Sequence, residues 1–369
     1  MKKIFTILIT LILALLSLSS CTSNKIATID TVIENAINDR IFPGAVVLVG
    51  NSEEILYEKA YGNYTYDSSS KKVELNTMFD LASLSKVFGT GMCLMKAIDS
   101  GLIDPEKAVV EYLPEMNNKD KDKIKVKHLL MHNSGMHAYS SPQETAEKTW
   151  QSIAELPLAR SIGDYRYSCL NFISLMKVLE SVTGEPMWKF YRDEFTIPLK
   201  MSRTMYSPDE KYKDQCMPTV GDSSGSKILK QGEVHDPLAL SLEGYSGNAG
   251  VFSTASDLAK LCQLMMNKGV YDAKPFVSEE VWEKFATVQS GSRTWAWSVN
   301  NYKSSSAGDL MKETAIGHTG YTGTSAWLDL DQDIFVILLT NRVYPQDKKA
   351  VNPVRRAVAD AALKNFIQD

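Results

Sequence analysis

The sequence predicts an α/β fold: an antiparallel sheet drawn from both ends of the chain, flanked by helices, with a mostly helical lobe over roughly residues 102–230. Three observations carry this. Apolar strand-like runs come in pairs near each end, 45–49 with 55–60 and 325–330 with 335–340, each pair joined by a short polar turn. Amphipathic helical patterns at 26–40 and 351–367 can lie against such a sheet. Residues 79–101 read as a helix that is apolar almost all round, which is normally a buried helix.

Residues 1–20 stand apart from the fold. Lys2 and Lys3 precede an apolar stretch, 4–18, that is too short to span a bilayer comfortably. Leu18-Ser19-Ser20-Cys21 then reads as a bacterial lipobox, with cleavage before Cys21 and lipid on its sulfur. The expectation is an envelope protein tethered to a membrane through residues 21–25, with the folded domain over 26–369. A formal charge of −4 and no basic run give no footprint for nucleic acid. Of the four remaining cysteines, Cys93 and Cys262 fall in apolar helical patterns and read as buried thiols; no C-x-x-C occurs. No metal or cofactor is expected.

Pro43-Gly44 ends the first helical pattern, and the strand pair 45–49 and 55–60 turns at 51–54. In 79–101, the only charges after the first turn are Lys96 and Asp99, and Gly101 sits at a C-terminal stop. Gly89 and Gly91 each cost about 1 kcal/mol of helix propensity, so something packs closely there. Ser83 and Lys86 are three apart and share one face. A serine hydroxyl needs a neighbour to take its proton, and a lysine desolvated by burial can be neutral enough to do so. The plain alternative is a capping serine beside a surface lysine.

Further along, 119–127 reads as a solvated charged loop. His128 and His132 are four apart, but Leu129 stands where a zincin needs Glu, so they read as structural. Tyr167 and Cys169 precede an amphipathic helix whose stripe is Phe172, Leu175, Met176, Leu179 and Val182, stopped by Gly184 and Pro186. Gly221-Asp222-Ser223-Ser224-Gly225 matches the G-x-S-x-G elbow, but lacks the strand before it and helix after it. Ser246-Gly247-Asn248 leads to a capping box at Thr254–Asp257. His235 can hold a loop. His318-Thr319-Gly320-Tyr321 precedes the strand 325–330, whose alternation suggests half-burial.

Leu81-Ala82-Ser83-Leu84-Ser85-Lys86 resembles the active-site segment of the serine β-lactamase and penicillin-binding-protein superfamily, in its class C β-lactamase-related branch of D-alanyl-D-alanine carboxypeptidases and carboxylesterases. His128-Leu129-Leu130-Met131-His132-Asn133-Ser134-Gly135 is similar to that branch's HLLxHxSG segment, and the order of segments matches over roughly residues 40–345. The resemblance implies a β-lactamase/transpeptidase-like fold with the site between the sheet and the helical lobe. It implies Ser83 as nucleophile, Lys86 and Tyr167 moving its proton, and His318-Thr319-Gly320 as the counterpart of a Lys-Thr-Gly strand. His318 would orient substrate or polarise Tyr167. The N–H groups of Ser83 and Tyr321 would form the oxyanion hole. Cys169 stands where the branch has Asn or Asp, which predicts weak β-lactam or peptide-amide turnover, and His318 weakens fixed positive charge, which points away from penicillins. The implied substrate is a small ester, a muropeptide or a β-lactam. The alternatives are a true class C-like β-lactamase and a non-catalytic lipoprotein that binds peptidoglycan.

Overall fold

The computed structural model describes residues 28–118, 120–219, 230–301, 305–345 and 350–367. The signal segment with Cys21 and the G-x-S-x-G match at 221–225 lie outside the described residues.

The first helix, α1 (Ile29–Asn38), is capped by Thr28 and leads into β1 (Gly44–Gly50) and β2 (Ile55–Gly62). A two-residue strand, β3 (Phe79–Asp80), precedes the central helix α2, a wide π-type turn at Lys86–Gly91 running into Met92–Asp99. Helices α3 (Val126–Leu130), α4 (Ala146–Glu155) and α5 (Cys169–Thr183) follow, then β4 (Met205–Tyr206) and α6 (Pro237–Ser241). Next come β5 (Val251–Ser253), α7 (Ala255–Met266), the hairpin β6 (Val270–Tyr271) and β7 (Lys274–Pro275), and β8 (Ser298–Val299). Strands β9 (Ile316–Thr319), β10 (Ser325–Asp329) and β11 (Ile334–Thr340) precede the last helix, α8 (Asn352–Phe366).

The main sheet is antiparallel in the order β2-β1-β11-β10-β9-β8, so the two chain ends meet in the β1–β11 pair, from Ala45 opposite Thr340 to Gly50 opposite Phe335. Its faces alternate residue by residue. Ala45, Val47, Val49, Val336 and Leu338 pack with α1 and α8; Val46, Leu48, Ile337 and Leu339 face the large core that also holds α2 and α7. Both faces are therefore covered, and all five residues of β10 are buried. The half-burial expected for 325–330 is corrected: helices close the second face as well. A short three-stranded sheet, β3-β5-β4, stands beside α2.

Two more expectations are corrected. The helix does not begin at Phe79: Phe79 and Asp80 pair with Ser253 and Phe252 of β5, and helical geometry begins only after Ser83. The 119–127 loop is not uniformly solvated. Lys121 is 1 % exposed, with Nζ donating to the carbonyls of Ile153 and Ala154 at the end of α4. A lysine can spend its ammonium on a helix C-terminus, where orphan carbonyls and the helix dipole both favour a cation. Gly89 behaves as expected: a Cβ there would stand 2.7 Å from the Tyr206 hydroxyl.

Lys121→Met should strand those carbonyls and lower unfolding stability by about 1–3 kcal/mol in urea titrations. A loss under ~0.5 kcal/mol would contradict the buried role.

Candidate active site

Ser83 sits at a junction of segments. Leu81 N–H donates to Val251 O at 3.0 Å, which holds the turn to β5. Ala82 takes φ +47°, unusual for a residue with a Cβ, and its N–H donates to Asp80 Oδ1 at 2.8 Å. The chain then winds into α2, carrying Lys86 beneath Ser83. Lys86 is fully buried, and its Nζ donates to Ser83 Oγ at 3.1 Å, Asn248 O at 2.8 Å and Cys169 Sγ at 3.5 Å. Three donors meet three acceptors from three separate segments.

Tyr167 comes from the chain just before α5. Its hydroxyl donates to Ser83 Oγ at 2.8 Å. His132 fixes this segment: its carbonyl accepts Arg166 N–H at 2.8 Å, its Nδ1 accepts Ser168 N–H at 3.1 Å, and its ring lies 4.7 Å from that of Tyr167. His128 Nδ1 accepts Lys125 N–H at 3.1 Å at the start of α3. Both histidines thus bond to backbone, as the sequence suggests. Among the described residues no three His, Cys, Asp or Glu side chains gather as a metal site, and no helix is long and apolar enough to cross a membrane.

His318 is buried on β9, with Nδ1 2.9 Å from Thr319 O and its ring 5.9 Å from that of Tyr167. Gly320 is needed for a reason other than substrate access. A Cβ there would fall 2.1 Å from Thr324 Oγ1 and 2.4 Å from Leu81 O. The turn after β9 is thus pressed against the residues leading to Ser83. Thr322 Oγ1 donates to Asp80 O at 2.8 Å and Thr324 Oγ1 to Leu81 O at 3.0 Å, fastening the same contact. This brings exposed Tyr321 into the wall of the cleft that holds Ser83.

Burial pushes the Lys86 ammonium down, but attraction to the Cys169 and Tyr167 groups outweighs it, and Lys86 sits above its ordinary value. That direction favours the charged form of Lys86 over a lysine neutralised by desolvation. Burial pushes the Tyr167 phenol up, against the pull of Lys86. Burial, then the charges of Arg293 and Lys86, push His318 well below the usual histidine range, and burial does the same to His132. Both imidazoles are neutral near pH 7.

Two partners of the site were not legible in the sequence. Asn248 belongs to the S-x-N match, yet it reaches Lys86 through its carbonyl, while its side chain accepts from Ser246 Oγ at 2.7 Å. Arg293 is 7 % exposed, and its Nη2 donates to the Tyr165 hydroxyl. Its Nε and Nη1 are buried with no hydrogen-bond partner among the described residues. Arg293 lines a cavity of about 640 Å³ that also opens on Ser83, Tyr167, His318 and Thr319. Among its described lining residues are three arginines, Arg293, Arg342 and Arg355, and no carboxylate. A single residue in an irregular stretch before β8 carries no periodic signal by which to find it.

A family model described as Beta-lactamase matches residues 29–361. The chain belongs to the β-lactamase family. A Bacillus subtilis N-acetylmuramyl-L-alanine amidase is 32 % identical over 360 residues, covering 87 % of this chain and 81 % of that one. A putative D-alanyl-D-alanine carboxypeptidase of Escherichia coli K12 is 29 % identical over 343 residues, covering 82 % and 79 %. Among solved structures, a penicillin-binding-protein homologue from Caulobacter crescentus shares the fold with a TM-score of 0.77 at 16 % identity, over 93 % of this chain and 98 % of that one. EstCE1, a hydrolase with promiscuous acyltransferase activity, does so with a TM-score of 0.74 at 20 % identity, over 90 % and 97 %. This β-lactamase-family protein is a serine hydrolase with the α/β architecture expected.

If Tyr167 moves the serine proton, Tyr167→Phe should slow labelling of Ser83 by a fluorophosphonate about 10²–10⁴-fold with little change in melting temperature. A labelling rate within twofold of wild type would contradict that role.

Proposed function

We propose that this β-lactamase-family hydrolase forms an acyl-enzyme on Ser83 from donors that end in a free carboxylate, cell-wall peptides foremost, and then hydrolyses it. The observation that carries the reading is the contact of Ser83 Oγ with both Lys86 Nζ and Tyr167 Oη, at the edge of a cavity rich in arginine and free of described carboxylates.

The reactive form of the Lys86–Tyr167 pair is one proton short of full protonation. The Lys86 cation makes the phenolate of Tyr167 the resting place of that charge. Tyr167 takes the Ser83 proton as Oγ bonds to the carbonyl carbon. The oxyanion faces the N–H groups of Ser83 and Tyr321. As the tetrahedral centre collapses, the bond to the leaving nitrogen or oxygen breaks and Tyr167 returns the proton to that atom. Water then attacks the ester, its proton passes to Tyr167, and Ser83 Oγ recovers it. Cys169 completes the shell of Lys86 and so bears on the pair, not on the substrate alone. Neutral His318 packs near Tyr167 and supplies no charge. Thr319 offers a strand edge to the substrate backbone, and Gly320 lets the turn with Tyr321 sit tight against Leu81.

The missing charge of a Lys-Thr-Gly strand is supplied from elsewhere. Arg293 lines the cavity, its Nε and Nη1 have no hydrogen-bond partner among the described residues, and a substrate carboxylate would answer its charge. The Escherichia coli relative is a putative D-alanyl-D-alanine carboxypeptidase, and a carboxypeptidase substrate ends in such a group. The lipobox at Leu18–Cys21 supports a location on the envelope, tethered through lipid on Cys21, where muropeptides occur.

The test is release of D-alanine from an acyl-L-lysyl-D-alanyl-D-alanine peptide, compared with the same peptide capped as its C-terminal amide. Wild type should prefer the free acid, and Ser83→Ala should release nothing. Arg293→Gln should raise KM for the acid about 10–100-fold and leave the amide within a few-fold. Equal use of acid and amide by wild type would remove the carboxylate reading.

A further inference from the structure

Asp80 is 1 % exposed, three residues before Ser83, and the mechanism above gives it no task. Its carboxylate is shared between two chain segments. Oδ1 accepts Ala82 N–H at 2.8 Å and Oδ2 accepts His235 N–H at 2.7 Å. The first bond holds the positive-φ turn that aims Ser83. The second holds the stretch ahead of α6, whose His235 ring stacks on Tyr321 at 5.6 Å between centroids. Asp80 O accepts Thr322 Oγ1 from the same turn that carries Tyr321. One residue therefore links the backbone on both sides of the proposed oxyanion position.

We propose that Asp80 is a positioning residue for acyl transfer: its carboxylate fixes the Ser83 turn against the His235–Tyr321 segment, so that the two N–H groups face one oxyanion. This inference rests on the acyl-enzyme reading.

Geometry alone makes the residue unusual, and its titration agrees. Burial, opposed by the two N–H bonds, raises its pKa to about 6. Other titratable groups bear on it weakly. Asp236 adds a small upward push, and its own Oδ1 is engaged with Ala239 N–H at 2.8 Å. The Cys216 thiol is pushed up to about 12 and carries no charge near neutrality. Arg355 is committed to the carbonyls of Gly320 and Thr324, and Arg342 lies over the Tyr321 ring. A carboxyl whose folded pKa is raised stabilises the fold most below the ordinary carboxylate range, and that contribution is lost as pH rises through about 6. At neutral pH the fold thus carries the ionised form against its own preference, which marks a functional group more than a structural one. Below pH 6 the protonated carboxyl accepts well from only one of the two N–H groups, and the turn loosens.

The test follows hydrolysis of p-nitrophenyl acetate from pH 5 to 9 in wild type and Asp80→Asn. Wild type should show an acid limb near pH 6. Asp80→Asn should lose that limb and about tenfold or more in kcat, with KM within twofold. A limb that survives in Asp80→Asn, or an unchanged kcat, would overturn the proposal. Should Asp80→Asn not fold, Ala82→Gly carries the test. Glycine takes the positive φ without strain, so the limb should flatten, and an undiminished limb would overturn the proposal. Failure of the acyl-enzyme reading shows differently: Ser83→Ala would then hydrolyse the ester as fast as wild type.

Discussion

The site is organised around one buried ammonium. Lys86 has no water to solvate it, and removing a lysine charge from water costs several kcal/mol unless each donor finds an acceptor. It finds three: the hydroxyl of Ser83 just ahead of its own helix, the thiol of Cys169 at the start of α5, and the carbonyl of Asn248 ahead of β5. Those segments lie far apart in the chain. Much of the fold between them brings these acceptors to one point, and a misplaced segment would leave a buried charge unanswered.

The same demand shapes what surrounds the site. The sheet is covered on both faces, so α2 lies in a dry interior where a cation and a phenol interact strongly. The imidazoles near it are held neutral by burial and by the charges of Arg293 and Lys86. Positive charge is instead placed on guanidinium groups around the cavity. A chain that has His at 318 thus keeps an electropositive cleft by placing arginines around it.

Much of this was legible in the sequence. Apolar runs paired across polar turns placed β1, β2, β10 and β11, an apolar stripe with its stop placed α5 and a capping box the start of α7, because those signals are local. Ser83 and Lys86 were identified by their spacing, Tyr167, Cys169 and His318 by the family resemblance, and the structure brings all five together. Four features were not legible. Phe79 and Asp80 read as helix because their partner strand lies some 170 residues away, at Phe252 and Ser253. Lys121 read as solvated because nothing nearby in sequence shows that it meets the end of α4. Arg293 and the carbonyl of Asn248 leave no side-chain pattern at all, since one is a lone residue and the other is backbone. Long-range pairing and main-chain contacts are what a single sequence does not display.

The central claim is that a lysine cation and a phenol make the Ser83 oxygen nucleophilic. Rapid-quench mass spectrometry after mixing with benzylpenicillin reads this most directly, since a slowly released acyl group stays on the residue that attacked. The account predicts one adduct of the full penicillin mass, on the peptide containing Ser83, formed at a rate that collapses in Lys86→Met. An adduct on another residue, or an equal rate in Lys86→Met, would contradict it.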